Sequence, residues 1–101
     1  MNVYYMISYD IDNMEEYQKY PPLAIPLINK YGGEVIISDT EAMVIEGKSK
    51  MMNALVMFPS REQALACYND AEYKEVSKLR INSTSNTTMV LAKELDPQYR
   101  K

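Results

Sequence analysis

A short strand with no polar face sets the terms for this chain. In the stretch MMNALVMFPSREQALACYNDAEYKEVSKLR, residues 51–80, Met52, Ala54, Val56 and Phe58 fall on one side of an extended segment and Leu55 and Met57 on the other. A sheet wetted on one side alternates apolar and polar residues, so a strand apolar on both sides needs two covers. One cover follows directly in the sequence. Pro59-Ser60 turns the chain, Ser60 and Gln63 supply a capping box for a helix over 61–69, and Asp70 caps a further helix that carries Tyr73, Val76 and Arg80 on one side.

A matching half precedes this stretch. Val3 to Ile11 alternates, with Val3, Tyr5, Ile7, Tyr9 and Ile11 on one face and Tyr4, Met6, Ser8 and Asp10 on the other, and its Tyr and Ile content suits a strand. Asp12 is expected to cap a helix by accepting from the Glu15 amide. Met14, Tyr17, Pro21, Ala24, Ile28 and Tyr31 then recur at helical spacing. Pro21, Pro22 and Pro26 lie within this run, and proline removes an amide donor and disfavours helix before it. The expectation is two pieces, 13–20 and 22–31, meeting at the Tyr20-Pro-Pro corner, with Gly32-Gly33 supplying the left-handed stop. Glu34 to Asp39 reads as a strand with Val35 and Ile37 opposing Ile36, and Thr40-Glu41 is expected to turn it into a hairpin arm over Ala42 to Glu46. After the helices, Asn82 to Asn86 reads as a loop and Thr87 to Leu95 as the last strand.

The order is β-α-β-β-α-β with an extra hairpin arm, which right-handed crossovers fold into a ferredoxin-like α+β sheet with its helices on one sheet face. A single domain over 1–95 and a frayed C-terminal tail over 96–101 are expected. The last strand repeats the two-faced pattern, with Met89 and Leu91 opposite Val90. Two apolar faces with helices for only one point to a homodimer through the open sheet face.

Composition excludes several classes of function. A net charge of -3 with no basic run argues against nucleic acid as a partner. The first apolar run is broken early by Asp10, Asp12 and Glu15, so no membrane span is expected. One cysteine, Cys67, and an N-terminus without a basic region or long apolar run fit a reducing cytoplasm. With no histidine, a Ser-His-Asp triad, a Cys-His dyad and most zinc sites are out of reach, and neither a metal nor a cofactor is implied.

The run Tyr20-Pro-Pro-Leu-Ala-Ile-Pro, then Tyr31-Gly-Gly, Ile45-Glu-Gly47, Phe58-Pro-Ser60 and Tyr68-Asn-Asp-Ala-Glu-Tyr73 through Leu79-Arg80 resembles the family called domain of unknown function 1330, which belongs with the dimeric α+β barrels. The resemblance spans nearly the whole chain. It implies a homodimer with two sheets packed back to back and no established reaction. The wider superfamily resembles cofactor-independent monooxygenases, haem-degrading enzymes and muconolactone-isomerase-type proteins, so fold alone decides little. Where the family often has a Trp after the Glu-Gly step, this chain reads Gly47-Lys-Ser-Lys50.

Nine tyrosines against one phenylalanine mark the chain. Tyr5, Tyr17, Tyr31, Tyr68 and Tyr73 fall on faces that converge either as walls of a small-molecule cleft or as core with hydroxyls to water. Arg80 is the candidate handle for a carboxylate or enolate oxygen, the alternative being a structural salt bridge to Glu46, Asp10 or a helix carboxylate. Glu46 is the candidate general base, or a solvated turn residue. Cys67 reads as a small core residue. Two functions stay open: a cofactor-independent enzyme on a small organic molecule, or a non-catalytic module that binds a metabolite or a partner.

Overall fold

The computed structural model of the chain describes residues 1–100. Its strands are β1 (Val3–Ile11), β2 (Glu34–Asp39), β3 (Met52–Phe58) and β4 (Thr84–Lys93), and its helices are α1 (Met14–Tyr17), α2 (Tyr20–Lys30), α3 (Arg61–Asn69) and α4 (Ala71–Ile81). The sheet order is β2-β3-β1-β4 and every neighbouring pair is antiparallel. That is the ferredoxin-like arrangement, in which β3 inserts between β1 and β2.

The register explains what each face becomes. One row across the sheet is Val35, Val56, Tyr5 and Leu91, and the next on the same face is Ser38, Ala54, Ile7 and Met89. These rows face the helices, where Val3, Ile28, Val56, Phe58, Ala64 and Cys67 form the largest buried cluster. The opposite face carries Ile37, Leu55, Met6 and Val90 in one line, with Asp39, Asn53, Ser8 and Thr88 beside it. Met6, Ile37 and Val90 are about half exposed, and with their neighbours they line an open concavity of about 340 Å³. The two-faced pattern read from β3 therefore corresponds to one covered face and one uncovered one.

Several local expectations are corrected. The β2–β3 register shifts between Val35 and Ile37, so Val35 pairs with Val56 on the helix side and Ile37 with Leu55 on the outer side. A bulge makes Ile36 the extra residue, and strict alternation fails there. Residues 42–46 are not a strand, so the hairpin arm is absent as a second β ladder. Instead 42–46 belong to an exposed irregular connection from 40 to 51, in which Met43 and Ile45 stand free of the fold. The segment 82–86 is not wholly a loop, since β4 starts at Thr84. A second bulge lies in β4, where Asn86 takes a positive φ of 56° and its amide donates to Asp10 Oδ2 at 2.9 Å. Asn tolerates the left-handed basin, so residues that read as a turn are accommodated inside a strand.

The helix ends follow hydrogen-bond chemistry closely. Asn13, not Asp12, caps α1, its side chain accepting from the Glu16 amide, while Asp12 accepts from the Ser85 hydroxyl. The break between α1 and α2 falls at Gln18-Lys19, just before the expected corner, because Pro21 and Pro22 sit in the first turn of α2, where no intrahelical amide is needed. Gly32 ends α2 region with φ 82°, and the Gly33 amide donates back to Ile28 O at 2.9 Å. Ser60 and Asp70 cap α3 and α4 as read from sequence. In the tail, Pro97–Tyr99 forms a 3-10 turn capped by Asp96, and Arg100 reaches Glu94; Lys101 lies outside the described residues.

Candidate functional site

Between sheet and helices lie two adjoining cavities. They share Ile7, Tyr20, Ile28, Val56 and Met89 as a common wall. The smaller, about 40 Å³, is completed mainly by Tyr5, Tyr68, Tyr73 and Cys67, and the larger, about 70 Å³, by Tyr9, Tyr17, Ala24, Ser38 and Arg80.

Helix α4 brings in Arg80, the only charged side chain among the described residues that line this space. Tyr73, Ser77 and Arg80 recur at helical spacing and are its buried residues, so they share the side turned to α2. Ser83 locks the end of the helix. Its hydroxyl donates to Leu79 O at 2.6 Å, and its carbonyl accepts the amides of Asp12 and Asn13. Arg80 is thereby held at 4% exposure, with its guanidinium carbon 5.7 Å from the centre of the Tyr20 ring. Among the described residues it makes no salt bridge, and its Nε is buried with no acceptor. Burial works against its charge, and the phenols of Tyr20 and Tyr73 more than offset that, holding the guanidinium above its ordinary range. The salt bridge weighed as the alternative does not form: Asp10 is engaged with Asn86 and the Met51 amide, and Glu46 is exposed in the 40–51 connection.

The tyrosines form a chain along the cleft. Tyr9 and Tyr17 share a hydroxyl–hydroxyl hydrogen bond of 2.5 Å, and Tyr20 and Tyr73 share one of 2.6 Å. Tyr17 lies against Tyr20, Tyr73 against Tyr68 and Tyr68 against Tyr5, with ring centroids 6.1 to 6.4 Å apart. Tyr5 meets the Phe58 ring edge-on and donates to Ala64 O at 2.8 Å. Burial pushes the Tyr5 phenol up to about 12, and burial with the neighbouring phenols raises Tyr9 and Tyr20 further. These hydroxyls stay protonated and act as donors, not as bases. Burial likewise raises the Cys67 thiol to about 11, which keeps it from being a nucleophile.

Of the residues singled out from sequence, Tyr5, Tyr17, Tyr68, Tyr73 and Arg80 line the two cavities. Tyr31 does not. Its hydroxyl donates to Asp70 Oδ2 at 2.5 Å, bracing the cap of α4. Glu46 is likewise absent from the lining. Sequence reasoning passed over Tyr9 and Tyr20. Tyr9 was legible, since it shares the inward face of β1 with Tyr5. Tyr20 was hidden at a proline corner whose direction no local pattern reveals. Among the described residues no group of three or more His, Cys, Asp or Glu side chains is placed to hold a metal ion, and no helix is long and apolar enough to cross a membrane.

This geometry defines a class: a ferredoxin-like α+β protein with a tyrosine-lined cleft between sheet and helices. Residues 2–95 match the family described as a domain of unknown function, DUF1330, and the chain belongs to that family. No curated protein matches its sequence. Among solved structures it is similar to a protein of unknown function from Rhodopseudomonas palustris, at 16% identity over 95% of this chain and 84% of that one, with a TM-score of 0.80. A dimeric protein of unknown function and ferredoxin-like fold from Bacteroides fragilis is similar at 10% identity, over 92% and 96% of the two chains, with a TM-score of 0.63. A candidate antibiotic biosynthesis monooxygenase from Nitrosomonas europaea is similar at 12% identity, over 94% and 92%, with a TM-score of 0.60. At these identities the likeness is one of fold.

Proposed function

We propose that this protein is a homodimer, joined through its open sheet faces, in which the sheet–helix cleft of each subunit takes up a small organic molecule. The observation that carries the ligand is Arg80, a buried guanidinium without an ion pair, lining a cavity among phenols. A buried guanidinium that keeps its charge, has no carboxylate beside it and leaves its Nε–H without an acceptor offers a seat for an anionic ligand. The dimer draws support from the apolar row across the outer face and from the Bacteroides fragilis relative. One buried thiol and no disulfide suit a reducing compartment such as the cytoplasm.

Binding without conversion is the reading the cleft favours. Its lining holds donors but no carboxylate, so the chain offers no general base beside the ligand. A cofactor-independent enzyme is the second reading, favoured by the likeness to the Nitrosomonas europaea protein and by phenol pairs through which a proton can pass. A metabolite library screened by thermal shift, followed by mass spectrometry of the recovered ligands, separates the two. Hits returned unchanged support binding, hits returned altered support the enzyme, and a library without a hit overturns both.

A further inference from the structure

The cleft has a surplus of hydrogen-bond donors, and counting them identifies the kind of ligand it takes. Each phenol pair uses one hydroxyl proton internally, so the Tyr9–Tyr17 pair and the Tyr20–Tyr73 pair each keep one proton with no acceptor among the described residues. The Nε–H of Arg80 is a third such donor. Nothing acidic lines the space to receive them. Water is a poor remedy, because it brings two further hydrogens to a site already short of acceptors and leaves the charge unbalanced. The site carries one positive charge, so a monoanion neutralises it whereas a dianion overshoots.

We infer, resting on the reading of the cleft as a ligand site, that its ligand is a small monocarboxylate, with the carboxylate in the larger chamber against Arg80 and the phenols of Tyr9, Tyr17 and Tyr20, and an apolar tail toward the chamber of Tyr5, Tyr68 and Cys67. A planar carboxylate supplies four lone-pair positions, which can take the Nε–H and a terminal N–H of the Arg80 fork as a pair together with the spare phenol protons. The second chamber offers only aromatic, aliphatic and sulfur surface beyond its phenol rims, which suits a hydrocarbon tail. Cavities of about 40 and 70 Å³ hold on the order of five heavy atoms, given that a cavity of ~150 Å³ takes up benzene. A two- to four-carbon acid meets that size. The raised phenol titrations accord with this, since neutral hydroxyls beside a carboxylate remain donors.

The test uses acetate, propionate and butyrate, the neutral isostere propionamide, and inorganic phosphate, titrated into the full chain at neutral pH. Affinity is expected to rise about fourfold per methylene from acetate to butyrate, with propionamide and phosphate binding at least tenfold more weakly than propionate. Arg80→Gln should lower propionate affinity on the order of 10- to 100-fold, and Tyr20→Phe should lower it less. If Arg80→Gln fails to fold, the Arg80 Nε–H resonance of the unaltered protein serves instead: it should shift on adding propionate and stay still with propionamide. Propionamide binding as tightly as propionate overturns the carboxylate inference while leaving the cleft a ligand site. Tighter binding of phosphate than of propionate, or a motionless Nε–H resonance at saturation, also overturns it. If no carboxylate binds but the wider library yields hits displaced by Arg80→Gln, this inference fails and the proposed function stands.

Discussion

Gly33 shows how narrowly single residues set this packing. A Cβ there would lie 2.6 Å from the Phe58 ring and 2.7 Å from Ile28, and Phe58 is among the most deeply buried side chains in the protein. Gly33→Ala should therefore destabilise the fold by about 1–3 kcal/mol, read from the midpoint of urea unfolding. Cys67 makes a sharper chemical prediction. Held as a thiol with its titration near 11 and 2% exposed, it should resist iodoacetamide at pH 8 in the native protein and react readily in denaturant; rapid native labelling would contradict the buried site. Asp70 carries the clearest pH dependence. The Tyr31 hydroxyl and the Tyr73 amide bond its carboxylate and lower its titration in the folded state. The unfolded chain thus binds that proton more readily, so the contribution is complete above the ordinary carboxylate range and is lost as pH falls through the depressed folded value. Denaturation profiles across acidic pH should show Asp70→Asn losing part of the wild-type slope.

At the scale of elements, capping and bulges decide the layout. Ser60 accepts from the Gln63 amide, and the Gln63 side chain reaches on to Tyr31 O at 3.1 Å, so one cap ties α3 to the end of α2. Ser60→Ala should cost about 1 kcal/mol in chemical denaturation. The two bulges matter in another way. A bulge exchanges the faces of all residues beyond it, so Ile36 turns Ile37 outward and Asn86 lets β4 continue where its sequence reads as a turn. Without the first, Ile37 would join the core side opposite Ala54, Ser38 would turn outward, and Ile36 would take the place opposite Leu55 in the outer apolar row. Helix α4 presents Arg80 because Ser83 and Thr84 bond its last carbonyls, a link between helix end and β4 that positions a charge by backbone geometry.

At the scale of the whole molecule, the protein is a slab 44 by 37 by 17 Å, one sheet thick and one helix layer deep. A slab of that depth leaves its outer sheet face without a cover from its own chain. Burying ~600 Å² of apolar area there would contribute on the order of 15 kcal/mol before association costs. Light scattering at micromolar concentration should give twice the chain mass of 11.7 kDa. Val90→Glu should shift that mass toward the monomer while the far-ultraviolet circular dichroism stays that of the folded sheet. A wild-type protein that remains monomeric would remove the dimer.

Apart from the expected arm over 42–46, the order and type of the elements were legible in the sequence, because apolar periodicity, proline and capping residues act over three or four positions and each element carries its own signal. The inward row of β1, the caps at Ser60 and Asp70 and the two-faced β3 could be read that way. So could the inward faces of Tyr5, Tyr17, Tyr68 and Tyr73, with cleft wall and core both open as readings, and the position of Arg80 on the same helix side as Tyr73. Only the tertiary structure decided which of these side chains meet. Tyr20 and Tyr73 are 53 positions apart, Tyr31 turned aside to the Asp70 carboxylate, and Glu46 stayed in the exposed connection. Register shifts and long-range contacts arise from hydrogen-bond pairing between strands and from helix packing, which no local pattern encodes. The two-faced strand at residues 52–58 announced that a second cover was needed. The packing of α2 and α4 against the sheet determined that the first cover encloses a charged, tyrosine-lined space.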